Sequence, residues 1–205
     1  AAFPIPGLAD LLARALSLVP ADSHEAGRLL SRYGGIIGVV DYDGGQHAMA
    51  RAISIARREG DVTLEVQSLS RAATVSFGHL RWQESVDYGL RALELAARDE
   101  ISASVFRWRA AISLLHMGDL EAASPHTLVL RERAERRGKG RGNLRQSSGN
   151  SFVPITFLSC LEGDWKAGRE YSGLGLDLSP LSPHLLLLRV LLEHETGESA
   201  QGEIY

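Results

Sequence analysis

The sequence predicts an all-α fold, a right-handed solenoid of antiparallel helix pairs, and three observations predict it. A box of small residue, Leu or Ile, polar residue, then Leu or Ile recurs in "ALSLVP" from Ala15, "AISIAR" from Ala52, "ALELAA" from Ala92 and "GLDLSP" from Gly175. Small residues also stand seven positions before the last three boxes and before Leu130. They are Gly45, Ser85, Ala123 and Gly168, at intervals of 40, 38 and 45 residues. A period in this range marks stacked supersecondary units. Strand patterns are nearly absent: "GGIIGVVDY" is the one short β-branched run, and it reads better as a frayed helix end.

Each element follows in order. Positions seven apart share a helical face, and small residues there let a neighbouring helix approach closely. The first helix, 7–19, ends in the first box, so its partner is expected upstream of the chain. Helix 22–38 closes on the Gly-rich run. Helix 42–58 carries Tyr42, Gly45 and Ala52, and helix 61–78 has an apolar series of Leu64, Leu69, Ala72, Ala73, Val75 and Phe77. Helix 82–98 repeats the first pattern with Trp82, Ser85 and Ala92. Helix 100–117 carries Val105, Trp108, Ala111, Ile112 and Leu115.

Gly118-Asp119 and Gly163-Asp164 are turn dipeptides whose Asp can cap the helices at 119–137 and 165–178. Between those two, a helix at 146–162 contains Pro154. Either it starts near 152 after a long loop, or it is kinked at the proline. An irregular loop at 138–151 would account for the longest repeat interval. A helix at 182–196 completes the set, and Gly197 to Gly202 repeats the spacing that opens a further helix. The expected organisation is one solenoid over 1–205, about four full pairs with partial repeats at both ends.

Composition narrows the function. The 205 residues are 44% apolar and 23% charged with net charge −3, so nothing global asks for nucleic acid or an anionic membrane. A single cysteine, Cys160, forms no internal disulfide and suits a reducing, cytoplasmic setting. The run Leu185–Leu188 is broken by Arg189 and is too short to span a bilayer. The N-terminal "AAFPIPG" has no secretory pattern. The missing initiator Met and the final "SAQGEIY" predict a piece of a longer cytoplasmic protein.

"GDWKAGREYSGLGLDLSP" (163–180), with Trp165, Gly168, Gly175 and Pro180, resembles the tetratricopeptide repeat. "GDLEAASPHTLVL" is similar. "DYDGGQHAMARAISIA" and "LRWQESVDYGLRALELA" match in part, with Val40 and Leu80 where the leading Gly would stand. Long helix pairs of this kind look like the sensor region of large bacterial LuxR-type activators and cyclase-linked ATP-binding regulators.

The chemistry-bearing residues form no catalytic pattern. None of the seven histidines makes His-x-x-x-His or has a Cys or carboxylate at ligand spacing, so no metal or other cofactor is expected. Cys160, in "ITFLSCLEG", reads as a small buried hydrophobe. The Arg-rich stretch 131–145 lacks interleaved aromatics and reads as a cationic helix end followed by a Gly-broken connector. "GKGRG" lacks phosphate-loop spacing. No acid–base pair or activated nucleophile appears, which disfavours an enzyme.

The resemblance implies a concave face lined by the first helix of each pair, at fixed offsets from each small residue. Those offsets give Gln67, Ser70, Thr74 and Phe77 in one unit. The next gives Val105, Trp108, Ile112 and His116, and the one after Asn150, Val153, Phe157 and Cys160. Trp108 and Phe157 are natural anchors there, or equally inter-helix core; Trp82 and Trp165 match packing positions. The function expected is a non-catalytic protein or peptide scaffold, the regulatory module of a larger bacterial signalling or transcription-regulating ATPase. Its partner would be a protein, a peptide or another domain of the parent, without direct nucleic-acid or membrane contact. The alternative is a sensor binding a small-molecule effector in an enclosed pocket.

Overall fold

Short polar side chains start the helices. Ser23, Asp41, Asp61, Asp119 and Asp164 each accept a backbone N–H three residues on, at 2.9–3.1 Å. These bonds satisfy donors that a helix N-terminus leaves orphaned. In a computed structural model of the chain, which describes residues 7–96, 100–138 and 149–197, ten α-helices follow from such signals. They are α1 (Leu8–Leu16), α2 (His24–Ile37), α3 (Tyr42–Glu59), α4 (Val62–Gly78) and α5 (Trp82–Leu95). After these come α6 (Glu100–His116), α7 (Leu120–Gly138), α8 (Val153–Glu162), α9 (Trp165–Leu178) and α10 (Pro183–Glu195). The described residues contain no strand.

The helix pattern matches the sequence reading closely. The fourth first-of-pair helix is the exception. It begins with a 3-10 turn at Asn150–Phe152 and becomes α8 only at Val153. Pro154 therefore sits in the first turn, where its missing N–H costs nothing, and the helix starts late rather than kinking. The loop expected at 138–151 and the helix expected after Gly197 lie largely outside the described residues.

The chain divides into two compact units, Ala1–Ser113 and Leu114–Tyr205. In the first, α2 packs on α3 and α4, α3 on α4, and α4 on α5. Turns of two to four residues join these helices, so consecutive ones run antiparallel. In the second, α8 packs on α7, α9 and α10, and α9 on α10. Contacts of α2 with α4, and of α8 with α10, put alternate helices side by side. Each unit is thus an all-α array of antiparallel helix pairs.

The small residues carry the packing. Ser85 and Ala123 have no exposed surface, Gly45 and Gly168 are buried, and Ala52, Ala92 and Leu130 at the box positions are at most 1% exposed. A close backbone-to-backbone approach joins α2 to α3, where a Cβ on Gly45 would lie 2.4 Å from Gly38 Cα. Around it, Leu30, Ala48, Ala52 and Ile55 form one core cluster, and Met49, Ala72 and Val75 another.

Three of the turns between helices pass through left-handed glycines, Gly60, Gly118 and Gly163, and Gly197 after α10 has the same conformation, with φ between 68° and 77°. At the corresponding turn before α5, Leu80 takes φ 59°, a conformation that its Cβ disfavours. In the second unit Glu193 is 1% exposed and is held between Arg169 Nη2 and Arg189 Nε, both at 2.5 Å. Among the described residues, no helix is long and apolar enough to cross a membrane.

Candidate binding surface on the first helices of the pairs

In the first unit the residues picked from sequence fall on α4 and α6. Gln67, Ser70 and Thr74, three to four apart, share one face of α4. Gln67 and Thr74 are exposed; Ser70 is half-buried. Thr74 Oγ1 donates to the Ser70 carbonyl at 2.7 Å, and Arg109 Nη1 on α6 donates to the same carbonyl at 3.3 Å.

Phe77, half-buried, meets Trp82 edge-on at 5.3 Å and lies 6.1 Å from Trp108. The three rings therefore form one aromatic cluster, in which Trp108 keeps partial exposure. Ile112 is 5% exposed and has almost no surface to offer a ligand.

In the second unit, the His116 ring meets Phe157 in a T-shaped contact at 5.2 Å. Although His116 keeps exposed surface, partial desolvation lowers its pKa from the ordinary histidine value by disfavouring the imidazolium. Asn150 Oδ1 accepts the Ser182 hydroxyl at 2.7 Å, which ties the start of this region to α10. Cys160 is half-buried, and burial pushes its thiol up to about 11, far from a reactive thiolate.

Two openings lie along α2 and α4, the first of them also bordered by α1. A cleft of about 580 Å³ is lined by Leu8, Leu12, Ile36, Val75 and Thr74, with Arg32, Arg71 and His79 at its polar edge. A groove of about 360 Å³ holds Arg28, Leu29, Arg32, Leu64, Gln67 and Arg71. Thr74 and Gln67 are the sequence-picked residues that reach these openings.

The chain matches no family model and no curated protein. Among solved structures it is similar to the crystal structure of BtubC (BKLC) from P. vanneervenii. That likeness has a TM-score of 0.70 at 12% identity and covers 96% of this chain and 83% of that one. The likeness is one of fold.

The arginines of the openings escaped the sequence reading. The offsets from the small residues pass over them, and they form no local cationic run. A detectable pattern existed all the same: Arg32, Arg71 and Arg109 stand 39 and 38 residues apart, the interval of the repeat itself.

Proposed function

We propose that the chain is a non-catalytic interaction module of tetratricopeptide-like type that binds a peptide segment, or another domain of its parent, on the α2–α4 face. The parent would be a larger cytoplasmic bacterial signalling or transcription-regulating ATPase. Binding would act by favouring one conformation of the parent, by no more than the ligand's differential affinity for the two states. The observation that carries this reading is the open cleft along α2 and α4, apolar inside and edged by arginines. Peptide sites combine apolar anchors with a few polar groups that fix orientation in this manner.

Selection from a displayed random-peptide library on the intact chain, followed by retesting of enriched peptides on Thr74→Trp, tests it. Thr74 is exposed in the cleft, so the indole should fill the opening and abolish capture without disturbing the fold. Capture unchanged by Thr74→Trp would refute this placement.

The effector-sensing alternative draws on the cleft's volume, which falls within the roughly 300–1,000 Å³ of small-molecule sites. A thermal-shift screen of metabolites separates the readings: saturable stabilisation lost in Thr74→Trp would favour a sensor.

A further inference from the structure

Four arginines of α3 and α5 meet a carboxylate. Arg51, Arg57, Arg58 and Arg91 pair with Asp22, Glu65, Glu59 and Glu94. Arg28, Arg32, Arg71 and Arg109 differ: among the described residues, none of them forms an ion pair. Arg28 only adds a weak field at Asp61.

Three of these four repeat with the fold. Arg32, Arg71 and Arg109 occupy successive first helices, α2, α4 and α6, at intervals of 39 and 38 residues. Two of the side chains are set alike. Arg71 Nη1 donates to Ser31 Oγ at 2.8 Å, and Arg109 Nη1 donates to the Ser70 carbonyl at 3.3 Å. Each therefore reaches back to the residue just before the preceding arginine. Arg28 and Gln67 widen the row by one helical turn on either side of the groove.

A row of like charges is an unfavourable arrangement to leave uncompensated. Burial lowers the pKa of both Arg71 and Arg109, and repulsion from Arg32 lowers that of Arg71 further. The guanidiniums stay charged nonetheless, so an incoming anion would meet donors already positioned and lacking a counter-charge. Arg32 and Arg71 also border the apolar cleft, which makes the charged and apolar surfaces continuous.

Resting on the peptide-binding reading above, we infer that this arginine ladder takes an acidic peptide segment in extended, polyproline-II-like form, with acidic residues three positions apart. Packed helices lie about 8–10 Å apart. A polyproline-II chain rises about 3.1 Å per residue with three residues per turn. Acids at i, i+3 and i+6 therefore recur on one side about every 9 Å, close to one rung of the ladder. Apolar side chains between them can enter the cleft beside Leu12, Ile36 and Val75.

The test reads the composition of displayed peptides selected on the intact chain, and the affinity of one synthesised consensus peptide for the wild type and for Arg28→Gln/Arg32→Gln. Both substituted residues are exposed, so the fold should survive. The expected result is enrichment of Asp or Glu at i and i+3, affinity that falls with added salt, and roughly tenfold weaker binding for each arginine removed. Arg32→Lys should recover only part of the loss, because an ammonium lacks the planar fork. Enriched peptides without acids, or acidic peptides that bind the double variant equally well, would overturn the ladder while leaving peptide binding intact. Acid enrichment without the three-residue spacing would overturn the extended geometry. No enrichment at all would overturn both this inference and the reading on which it rests.

Discussion

Replacing Gly45 by Ala tests the close packing of α3 on α2. In an open helix this change stabilises by about 1 kcal/mol through backbone entropy and helix propensity. Here the added Cβ would meet Gly38 Cα at 2.4 Å, Gly38 N at 2.8 Å and the Gly34 carbonyl at 2.9 Å. All three are backbone atoms, so no side chain can rotate away and α3 must move off α2. Overpacking of this kind costs about 1–3 kcal/mol, occasionally more. A net loss of about 2 kcal/mol is expected, or a urea midpoint lower by about 1 M for a slope near 2 kcal/mol/M.

Gly89→Ala is the matched control. Its Cβ would find only the Phe106 carbonyl, at 3.9 Å, so it should raise stability by up to about 1 kcal/mol. Tryptophan fluorescence in a Trp165→Phe background reads the first unit alone, because Trp82 and Trp108 both lie in it. Equal effects of the two substitutions, or a stable Gly45→Ala, would refute the close-approach argument.

Further outcomes follow from other residues. Leu80→Gly should stabilise the first unit by about 1 kcal/mol, since an exposed Leu at φ 59° gives way to the residue that adopts this conformation freely; an unchanged urea midpoint would count against strain at that turn. Glu193→Gln should destabilise the second unit by about 3 kcal/mol, because Arg169 and Arg189 lose their shared carboxylate. Trp165 fluorescence reports that unit, and a loss below about 0.5 kcal/mol would mean that the triad contributes little. His116 should titrate below about 6.5 by NMR, and Phe157→Ala should move it upward by admitting water. The folded pKa is the lower one, so the unfolded chain takes the proton first. This histidine's contribution to stability therefore declines as pH falls through the ordinary histidine range. An unmoved midpoint in Phe157→Ala would show that the ring does not shield it.

The helices were legible because several independent cues agreed. Gly45, Ser85, Ala123 and Gly168 recur at intervals of 40, 38 and 45 residues and are all buried, and Asp119 and Asp164 cap the helices where their Gly-Asp turns placed them. The sequence does not decide the late start of α8, since Pro154 fits either a kink or a first turn and only tertiary packing distinguishes them. Leu80 shows how a turn geometry can survive loss of its usual glycine: the surrounding helices impose the conformation on a residue that local preference would exclude.

The candidate surface was less legible. Fixed offsets from the small residues located Gln67 and Thr74 on the open side of α4, yet the same offsets gave Ile112, which is buried. The burial at one offset differs between pairs, Thr74 exposed and Ile112 buried, and that difference is set by packing that offsets do not encode. The arginine ladder was missed for a different reason. Its members are 39 and 38 residues apart, so no local window contains two rungs, whereas the dense run at 131–145 draws attention without any such spacing.

The most direct measurement of the central claim is an NMR titration of the arginine Nε–H resonances of the intact chain with a peptide selected on it. The account predicts that the signals of Arg32 and Arg71 move together and saturate at one peptide per chain. Movement confined to arginines of α3 and α5, with Arg32 and Arg71 unmoved, would contradict it.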